Sequence, residues 1–165
     1  MANEERIVDQ LKEQFPAASD TIRVQRDRRI WIDVPYSDFA GFFDYIVRNM
    51  NFTALSAITG LDEGDNLSVL YHIARRDGTL MNVKTSVPRS DPRLKSVMEL
   101  FPAAVLYERE LVDLLGFTVD GLPEGNRYPL VDDWPKWQYP LRKDWSIEML
   151  EAQPKAPAEQ KKEGE

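Results

Sequence analysis

The sequence predicts an α+β domain with helices packed on one face of a mainly antiparallel sheet, followed by an extended C-terminal arm. Helix-type and strand-type patterns follow one another in the order α-β-β-α-β-β-β-α. The strand-like runs are short and are joined by turn-rich loops. Residues 76–79, with an Asp-Gly pair, are typical of a hairpin turn. Regular patterning then stops at Gly121, which predicts an arm without periodic structure.

The first third of the chain is predicted to form a helix, a hairpin and a second helix. Apolar residues recur at helical spacing over residues 4–15, and a proline ends that helix. Residues 21–24 and 30–34 are predicted to be hairpin strands around a charged turn. Ser37 is predicted to cap the second helix. The buried stripe of that helix is predicted to comprise Phe39, Phe43, Ile46 and Met50.

The middle of the chain is predicted to form three further strands and a third long helix. The predicted strands are residues 52–59, 68–74 and 81–87. Residues 94–100 are predicted to form one or two helical turns. The third helix is predicted to run from Pro102 to Leu115, because proline suits a first turn and Gly116 suits a left-handed stop. Residues 117–119 are predicted to form a short strand end.

The patterning divides the chain into three parts. Residues 1–121 are predicted to form the α+β domain, and residues 122–150 a partner-binding extended arm. Residues 151–165 are predicted to be disordered, because they are charged, rich in small polar residues and poor in apolar ones.

Composition excludes several classes of function. The net charge of −7 argues against non-specific nucleic-acid binding and against electrostatic docking on anionic lipid. The chain has no cysteine, which rules out a thiolate nucleophile and a cysteine-bound iron–sulfur cluster. No run of about 18 apolar residues occurs, so we expect no direct membrane insertion.

Two further candidates for chemistry are interpreted as structural. His72 is the one histidine, without a second histidine or cysteine at metal-ligand spacing, and is interpreted as an ordinary strand residue. Asp62, Glu63 and Asp65 lack the spacing of a calcium loop and are interpreted as a solvated hairpin loop. No glycine-rich phosphate loop and no nucleophile elbow is present.

The predicted third helix carries a block of charges. Residues 108–113 read Glu-Arg-Glu-Leu-Val-Asp, and helical geometry prevents all of these charges from entering the core. Arg109 and Asp113 are four residues apart, so we expect them to pair on the surface. The block fits either a solvated helix face or a set of contacts to a partner.

The segment "YPLVDDWPKWQYPLRKDW", residues 128–145, is unusually aromatic for a region without periodicity. So many large rings are not left in water, and tryptophan, tyrosine and arginine concentrate binding energy at protein interfaces. Two interpretations stay open, and both can hold. The segment binds a partner, or it folds back on its own domain.

These two regions resemble the 30-kDa subunit family of NADH–quinone oxidoreductase (respiratory complex I), which includes a small subunit of energy-converting membrane-bound nickel–iron hydrogenases. The first matching motif comprises Glu108-Arg109-Glu110, Asp113, Leu114-Leu115 and Gly116. The second comprises Asp132-Asp133-Trp134 and Pro140-Leu141-Arg142-Lys143-Asp144. The chain departs from the family pattern at Leu122, where a histidine is common, and at Asn126, where a basic pair is usual. The resemblance covers about residues 4–145.

The resemblance implies a non-catalytic subunit in the peripheral arm of a membrane-bound, ion-translocating oxidoreductase, on the cytoplasmic side of the membrane. Such a subunit holds no cofactor. Its partner subunits hold the flavin, iron–sulfur clusters, quinone or nickel. The implied partners are the large subunit with the quinone or nickel–iron pocket and a small iron–sulfur subunit, and the chain acts as their scaffold.

The resemblance also implies which residues contact these partners. They are Glu108, Arg109, Glu110, Asp113, Arg127, Asp132, Asp133, Trp134, Trp137, Tyr139, Pro140, Leu141, Arg142, Lys143 and Asp144. The sequence leaves the complex I branch and the hydrogenase branch open. More distant alternatives are a stand-alone enzyme that uses carboxylates of the third helix and an acidic adaptor unrelated to redox chemistry.

Overall fold

The structure, a computed structural model, describes residues 3–151, so the predicted disordered tail lies outside the described residues apart from its first residue. The helices are α1 (Asn3–Gln14), α2 (Tyr36–Arg48), α3 (Ala104–Leu115) and α4 (Glu148–Glu151), with a short 3-10 helix at Pro16–Ala18. The strands are β1 (Arg23–Arg26), β2 (Arg29–Asp33), β3 (Ala54–Asp62), β4 (Asn66–Ala74), β5 (Leu80–Pro88), β6 (Arg93–Lys95) and β7 (Thr118–Asp120).

Strands β1 to β5 form one sheet in the order β1-β2-β5-β4-β3. Neighbouring strands are antiparallel except β2 and β5, which run parallel. Strands β6 and β7 form a separate parallel pair. The predicted α+β class with a mainly antiparallel sheet is confirmed.

One face of the five-stranded sheet carries the apolar side chains and is covered by the helices. Ile32, Tyr71 and Val83 are fully buried on this face of three neighbouring strands. The rings of Phe39 and Phe43 in α2 lie 4.9 and 5.0 Å from the ring of Tyr71, measured between centroids. The predicted stripe of α2 is buried throughout, so its aromatic residues form the centre of the core.

Helix α3 lies close against strand β3. A β-carbon at Gly60 would overlap the side chains of Leu111 and Leu115, so the absence of a side chain there permits the close approach. The helix ends as predicted at Gly116, which has φ 73° and ψ 35°. The chain then reverses into β7, and the charged side of α3 is left facing the C-terminal arm.

Two local predictions are wrong, the first because a strand pairing distant in sequence overrides local preference and the second because the helix begins one residue before Ser37. Residues 94–100 begin as strand β6, which pairs with β7, and only one helical turn follows, in which the Phe101 amide donates to the Val97 carbonyl. Ser37 lies inside the first turn of α2 rather than capping it. Pro35 is the N-cap, and the Ser37 hydroxyl donates to the Asp38 carboxylate.

The C-terminal arm, residues 122–150, is mostly irregular, as predicted. Regular structure nevertheless returns in the short helix α4 at its end. The sequence does not predict that helix, because its four residues are too few to produce a periodic pattern.

Candidate functional site

The carboxyl group of Glu108 is inside the fold, with the residue only 1% exposed. The Ser96 hydroxyl donates to Glu108 Oε2 at 2.6 Å, and the Val97 amide donates to Oε1 at 2.8 Å. Of the two interpretations of the charged block, a solvated helix face does not describe Glu108. Both donors lie in the segment that follows β6. The Glu108 carboxyl therefore links α3 to that segment by two hydrogen bonds.

Arg109 extends from α3 over the beginning of the C-terminal arm. Its guanidinium donates to the carbonyl oxygens of Pro123, Glu124 and Asn126 over 3.2 to 3.4 Å. A β-carbon at Gly125 would overlap this guanidinium, so a larger residue there would displace the Arg109 side chain from its present position. Arg109 thus fixes an otherwise irregular loop by satisfying three of its carbonyl groups.

Asp113 holds the next part of the C-terminal arm. Its Oδ1 pairs with Arg127 Nε at 3.2 Å, and its Oδ2 accepts the Tyr128 amide at 2.8 Å. Arg127 in turn donates to the carbonyl oxygen of Trp134 at 2.7 Å. The expected surface pair between Arg109 and Asp113 is therefore not formed, because each side chain bonds to the C-terminal arm instead.

The middle of the C-terminal arm is organised by its own aromatic residues. The rings of Trp134 and Trp145 lie 5.9 Å apart between centroids. Both indole N–H groups donate to Gln138, one to its backbone carbonyl at 2.9 Å and the other to its side-chain oxygen at 3.1 Å. Trp134, one of the expected interface residues, thus has intrachain partners.

The end of the C-terminal arm docks on the C-terminus of α3. The Leu141 amide donates to the Leu114 carbonyl at 3.0 Å, and Arg142 Nε donates to the Leu115 carbonyl at 2.7 Å. The last carbonyls of a helix lack intrahelical partners, and a cation there also complements the helix dipole. The Arg142 guanidinium lies 4.5 Å from the Tyr139 ring centroid. These contacts make the C-terminal arm the cap of α3.

A buried carboxylate at the end of β3 completes the docking. Asp62 has a side chain that is 2% exposed, and its Oδ2 accepts the Lys143 amide at 2.9 Å and Arg89 Nη1 at 3.0 Å. The other Arg89 nitrogen, Nη2, pairs with Asp144 at 2.5 Å. The interpretation of Asp62 as part of a solvated loop is therefore wrong, because the C-terminal arm covers it.

Several large apolar residues of the C-terminal arm are exposed among its charged residues. Trp137 is 83% exposed and adopts a positive φ of 68°. Other exposed large apolar residues of the arm are Tyr128, Val131, Leu141, Ile147 and Met149. Asp132 and Asp133 are also exposed, whereas Pro140 is half-buried. Elsewhere in residues 3–151, the exposed large apolar residues are only Val24, Leu61 and Leu106, so exposed apolar surface concentrates on the arm.

The family model described as the respiratory-chain NADH dehydrogenase 30-kDa subunit matches residues 32–150. This range contains most of the sheet, α3 and the C-terminal arm. The chain belongs to this 30-kDa subunit family. The resemblance carried by the two motifs is thereby confirmed.

Individual members of the 30-kDa family match over most of their length. The beta subunit of the membrane-bound hydrogenase of Pyrococcus furiosus is 28% identical, covering 87% of each chain. The corresponding subunit of the F420H2 dehydrogenase of Methanosarcina mazei is 30% identical, covering 84% of this chain and 89% of that one. A chain in the membrane-bound sulfane sulfur reductase, an archaeal respiratory membrane complex, has 27% identity and a TM-score of 0.79 over 99% of both chains.

A smaller solved relative supports the fold of the domain. The trypsin-resistant fragment of Nqo5 is 27% identical, with a TM-score of 0.60 over 73% of this chain and 98% of the fragment. The mainly antiparallel sheet and its helices are therefore those of the 30-kDa family.

The two family motifs meet in this structure. Most charged members of the first motif contact the C-terminal arm or the core, whereas Glu110 lies half-buried beside Leu141 in a small groove against β3. Sequence reasoning missed Asp62 and Arg89, which hold the second motif. No local signal indicates them, because Asp62 and Lys143 are 81 residues apart.

His72 is a structural residue of β4, as expected. Its ring nitrogens lie 3.1 Å from the Thr59 hydroxyl and 2.7 Å from the Asn82 side-chain oxygen. Within the described part of this 30-kDa family member, no group of three or more histidine or acidic side chains is placed to hold a metal ion. None of the helices in residues 3–151 has the length and apolar character needed to cross a membrane.

The ionised form of Asp62 is stabilised by its contacts with the C-terminal arm. Burial raises the pKa of Asp62, but hydrogen bonds from the Lys143 and Gly64 amides and the charge of Arg89 outweigh burial and hold the pKa below its ordinary value. A carboxylate with a lowered pKa contributes stability that is fully present above its unfolded pKa, about 3.9. That contribution is lost as the pH falls through the lower folded pKa.

Asp62→Asn is therefore expected to loosen the C-terminal arm already at pH 7. Three of the chain's 4 tryptophans lie in the arm, so acrylamide quenching of tryptophan fluorescence measures its docking. We expect quenching of the variant to exceed that of the wild type at pH 7. Quenching of the wild type should rise only below about pH 4.

Asp65→Asn is the matched control, because Asp65 is an exposed acid in the turn that follows β3. Acrylamide should quench the tryptophan fluorescence of this variant to the same extent as that of the wild type at every pH. Equal quenching of Asp62→Asn and Asp65→Asn at pH 7 would contradict the role of Asp62.

Proposed function

We propose that this chain is a non-catalytic scaffold subunit in the peripheral arm of a membrane-bound, ion-translocating oxidoreductase, held on the cytoplasmic side of the membrane by partner subunits. The observation that carries the proposal is the docked C-terminal arm with its exposed apolar residues, of which Trp137 is the most exposed. Membership of the 30-kDa family and likeness to a chain of an archaeal respiratory membrane complex support it.

The geometry of the C-terminal arm suits binding without large ordering costs. Contacts to Arg109, Asp113 and Asp62 fix its backbone before a partner arrives. Less conformational entropy is then lost on association. Trp137 presents a large ring outward from this fixed backbone, and tryptophan is the residue type most enriched at binding hot spots.

The partner proposed for the C-terminal arm is the large subunit that forms the quinone or nickel–iron pocket. Charged groups on that subunit would pair with the exposed Asp132 and Asp133, and with Lys143, whose side chain is also exposed. A small iron–sulfur subunit is the second proposed partner. Flavin, clusters, quinone or nickel belong to these partners. This chain holds the partner subunits in place and carries out no redox chemistry itself.

The hydrogenase branch is the second candidate, and similarity to the beta subunit of a membrane-bound hydrogenase supports it. The hydrogenase beta subunit matches over 87% of its own length. The equivalent subunit of the NADH-quinone oxidoreductase of Chloroherpeton thalassium, which is 34% identical, matches over only 45% of its length. Purifying the large subunit with this chain decides between them. Two paired Cys-x-x-Cys motifs in that subunit indicate nickel, and their absence indicates quinone.

Trp137→Ala is expected to weaken assembly while leaving the isolated chain folded. Loss of a central tryptophan costs about 2 kcal/mol, close to a thirtyfold weaker association. The measurement is the amount of large subunit that co-purifies with the tagged chain from solubilised membranes, compared with the wild type. Because Trp137 is 83% exposed, the melting temperature of the isolated variant should not change.

Leu106→Ala is the matched control for this experiment. Leu106 is an exposed apolar residue of α3 outside the C-terminal arm, so its truncation should leave the large subunit bound. Normal recovery of the large subunit with Trp137→Ala would exclude Trp137 as an anchor of the binding surface.

A further inference from the structure

One end of the five-stranded sheet is rich in arginine. The β1–β2 turn and the β4–β5 turn lie side by side there, because β2 and β5 are parallel neighbours and the Leu80 amide donates to the Arg28 carbonyl at 3.0 Å. We name this surface the arginine end. It comprises Arg26, Arg28, Arg29, Arg75 and Arg76, without a lysine. In a chain of net charge −7, such a cluster is a local reversal of charge.

Most of these cations have no ion-pair partner among residues 3–151. Among the ion pairs of residues 3–151, only the pair of Arg75 with Asp77 involves the arginine end. Arg26, Arg28 and Arg76 are exposed. Asp27 is the one other acidic residue in the two turns. The surface therefore carries a net positive charge that a partner can complement.

Ring stacking and backbone contacts hold parts of this surface in place. The Arg75 guanidinium lies 5.6 Å from the Phe52 ring centroid. On the flank, Arg23 stacks on Trp31 at the same distance. The Arg28 amide donates to Glu4 Oε1 at 2.9 Å, which ties the β1–β2 turn to α1. The cations thus project from a fixed platform rather than from a loose loop.

The arginine end and the docking point of the C-terminal arm lie at opposite ends of the sheet. Asp62 is at the β3–β4 turn, and the nine residues of β4 lead from that turn to Arg75. At about 3.3 Å per residue, the two surfaces are roughly 26 Å apart along the strand. One partner bound to the C-terminal arm therefore leaves the arginine end accessible to another.

We propose that the arginine end binds an acidic segment of a second protein subunit of the same complex. The proposal rests on the proposed scaffold function and adds a second contact surface to it. Guanidinium groups bind carboxylates through two parallel hydrogen bonds, so the arginine end selects aspartate and glutamate side chains. The chain then bridges two partners, one at each end of its sheet.

An acidic protein segment fits this surface better than anionic lipid does. Asp27 and Asp77 lie among the arginines, and an interspersed acid suits a protein with an alternating charge pattern but repels a continuous layer of phosphates. The overall charge of −7 also opposes approach to an anionic membrane.

The test is the double charge reversal Arg26→Glu with Arg76→Glu in the full chain, expressed within its complex. Both residues are exposed, so the fold should be retained, and the melting temperature of the isolated chain checks this. We expect at least tenfold less of one subunit to co-purify from membranes, while the large subunit bound through the C-terminal arm is retained. Hydrogen–deuterium exchange of the wild-type complex should show protection of residues 23–29 and 75–79 relative to the isolated chain.

Lys12→Glu with Lys95→Glu is the matched control. It changes the net charge by the same amount at exposed positions away from the arginine end, and it should release none of the partners. An unchanged set of subunits in the Arg26→Glu, Arg76→Glu complex would overturn the proposal. So would flotation of the wild-type chain, but not the variant, with phosphatidylcholine vesicles containing 30% phosphatidylglycerol, because lipid would then be the ligand.

Two further outcomes separate this proposal from others. Protection of the two turns in the concentrated isolated chain would indicate a second copy as the occupant and would also overturn it. Failure of Trp137→Ala to release the large subunit contradicts the proposed function, whereas failure of the arginine variant contradicts only this inference.

Discussion

Glu108→Ala is expected to lower the free energy of unfolding by about 3 kcal/mol and the melting temperature by roughly 10 °C. The variant leaves the Ser96 hydroxyl and the Val97 amide without their acceptor. Each buried donor left unsatisfied costs about 1–3 kcal/mol. The site is too enclosed for bulk water to replace the carboxyl, since Glu108 is 1% exposed. Thermal and urea unfolding of the isolated chain measure the loss.

Two variants of the same helix make this result interpretable. Glu110→Ala removes a half-buried carboxylate from the same turn and should change stability by no more than about 0.5 kcal/mol. Glu108→Gln retains a side-chain oxygen for the Val97 amide. Its loss of stability should therefore lie between the losses of Glu110→Ala and Glu108→Ala. If Glu108→Ala unfolds at the same temperature as Glu110→Ala, the carboxyl does not join α3 to the segment after β6.

Gly116→Ala is expected to release the end of the C-terminal arm. A β-carbon at this position would lie 2.5 Å from the Tyr139 ring and 2.8 Å from Arg142 Nη2. The positive φ of 73° adds about 1 kcal/mol of backbone strain for alanine. Limited trypsin digestion measures the release, because Lys136, Arg142 and Lys143 are cleavage sites in the arm. We expect cleavage there to be at least tenfold faster than in the wild type.

Two other glycines separate steric overlap from backbone strain. Gly121→Ala has a positive φ of 87°, but its β-carbon would meet only Ser96, at 3.7 Å. It should lower stability without accelerating cleavage of the C-terminal arm. Gly41→Ala in α2 has no heavy atom within 4 Å and should be neutral or slightly stabilising. Equal cleavage rates for Gly116→Ala and Gly121→Ala would show that the missing side chain of Gly116 is not what lets the C-terminal arm dock on α3.

The elements with local signals could be predicted from sequence. The α2 stripe and the β4–β5 hairpin follow from hydrophobic period and turn residues. The end of α3 follows from Gly116, since a left-handed residue terminates a helix there. The residues of the two motifs were also found, because their residue types and spacing are unusual.

The partners of those residues could not be predicted. Asp113 binds Arg127 and Tyr128, and Asp62 binds Lys143, through contacts that exist only after the chain has folded. Local spacing favoured a pair between Arg109 and Asp113, but the carbonyl groups of the C-terminal arm compete for the arginine. Strand β6 was missed for the same reason, since three residues gain a strand geometry only beside β7.

The seating of the C-terminal arm on α3 has a consequence for building chimaeras from 30-kDa family members. Arg109 fits a loop whose Gly125 lies against its guanidinium, and Leu115 offers its carbonyl to Arg142. A C-terminal segment transplanted from a relative would meet a helix shaped for a different backbone. A graft that starts after the helix would therefore be mismatched at α3, and even an exchange of residues 104–145 must also match Asp62 and Arg89, which bind Lys143 and Asp144.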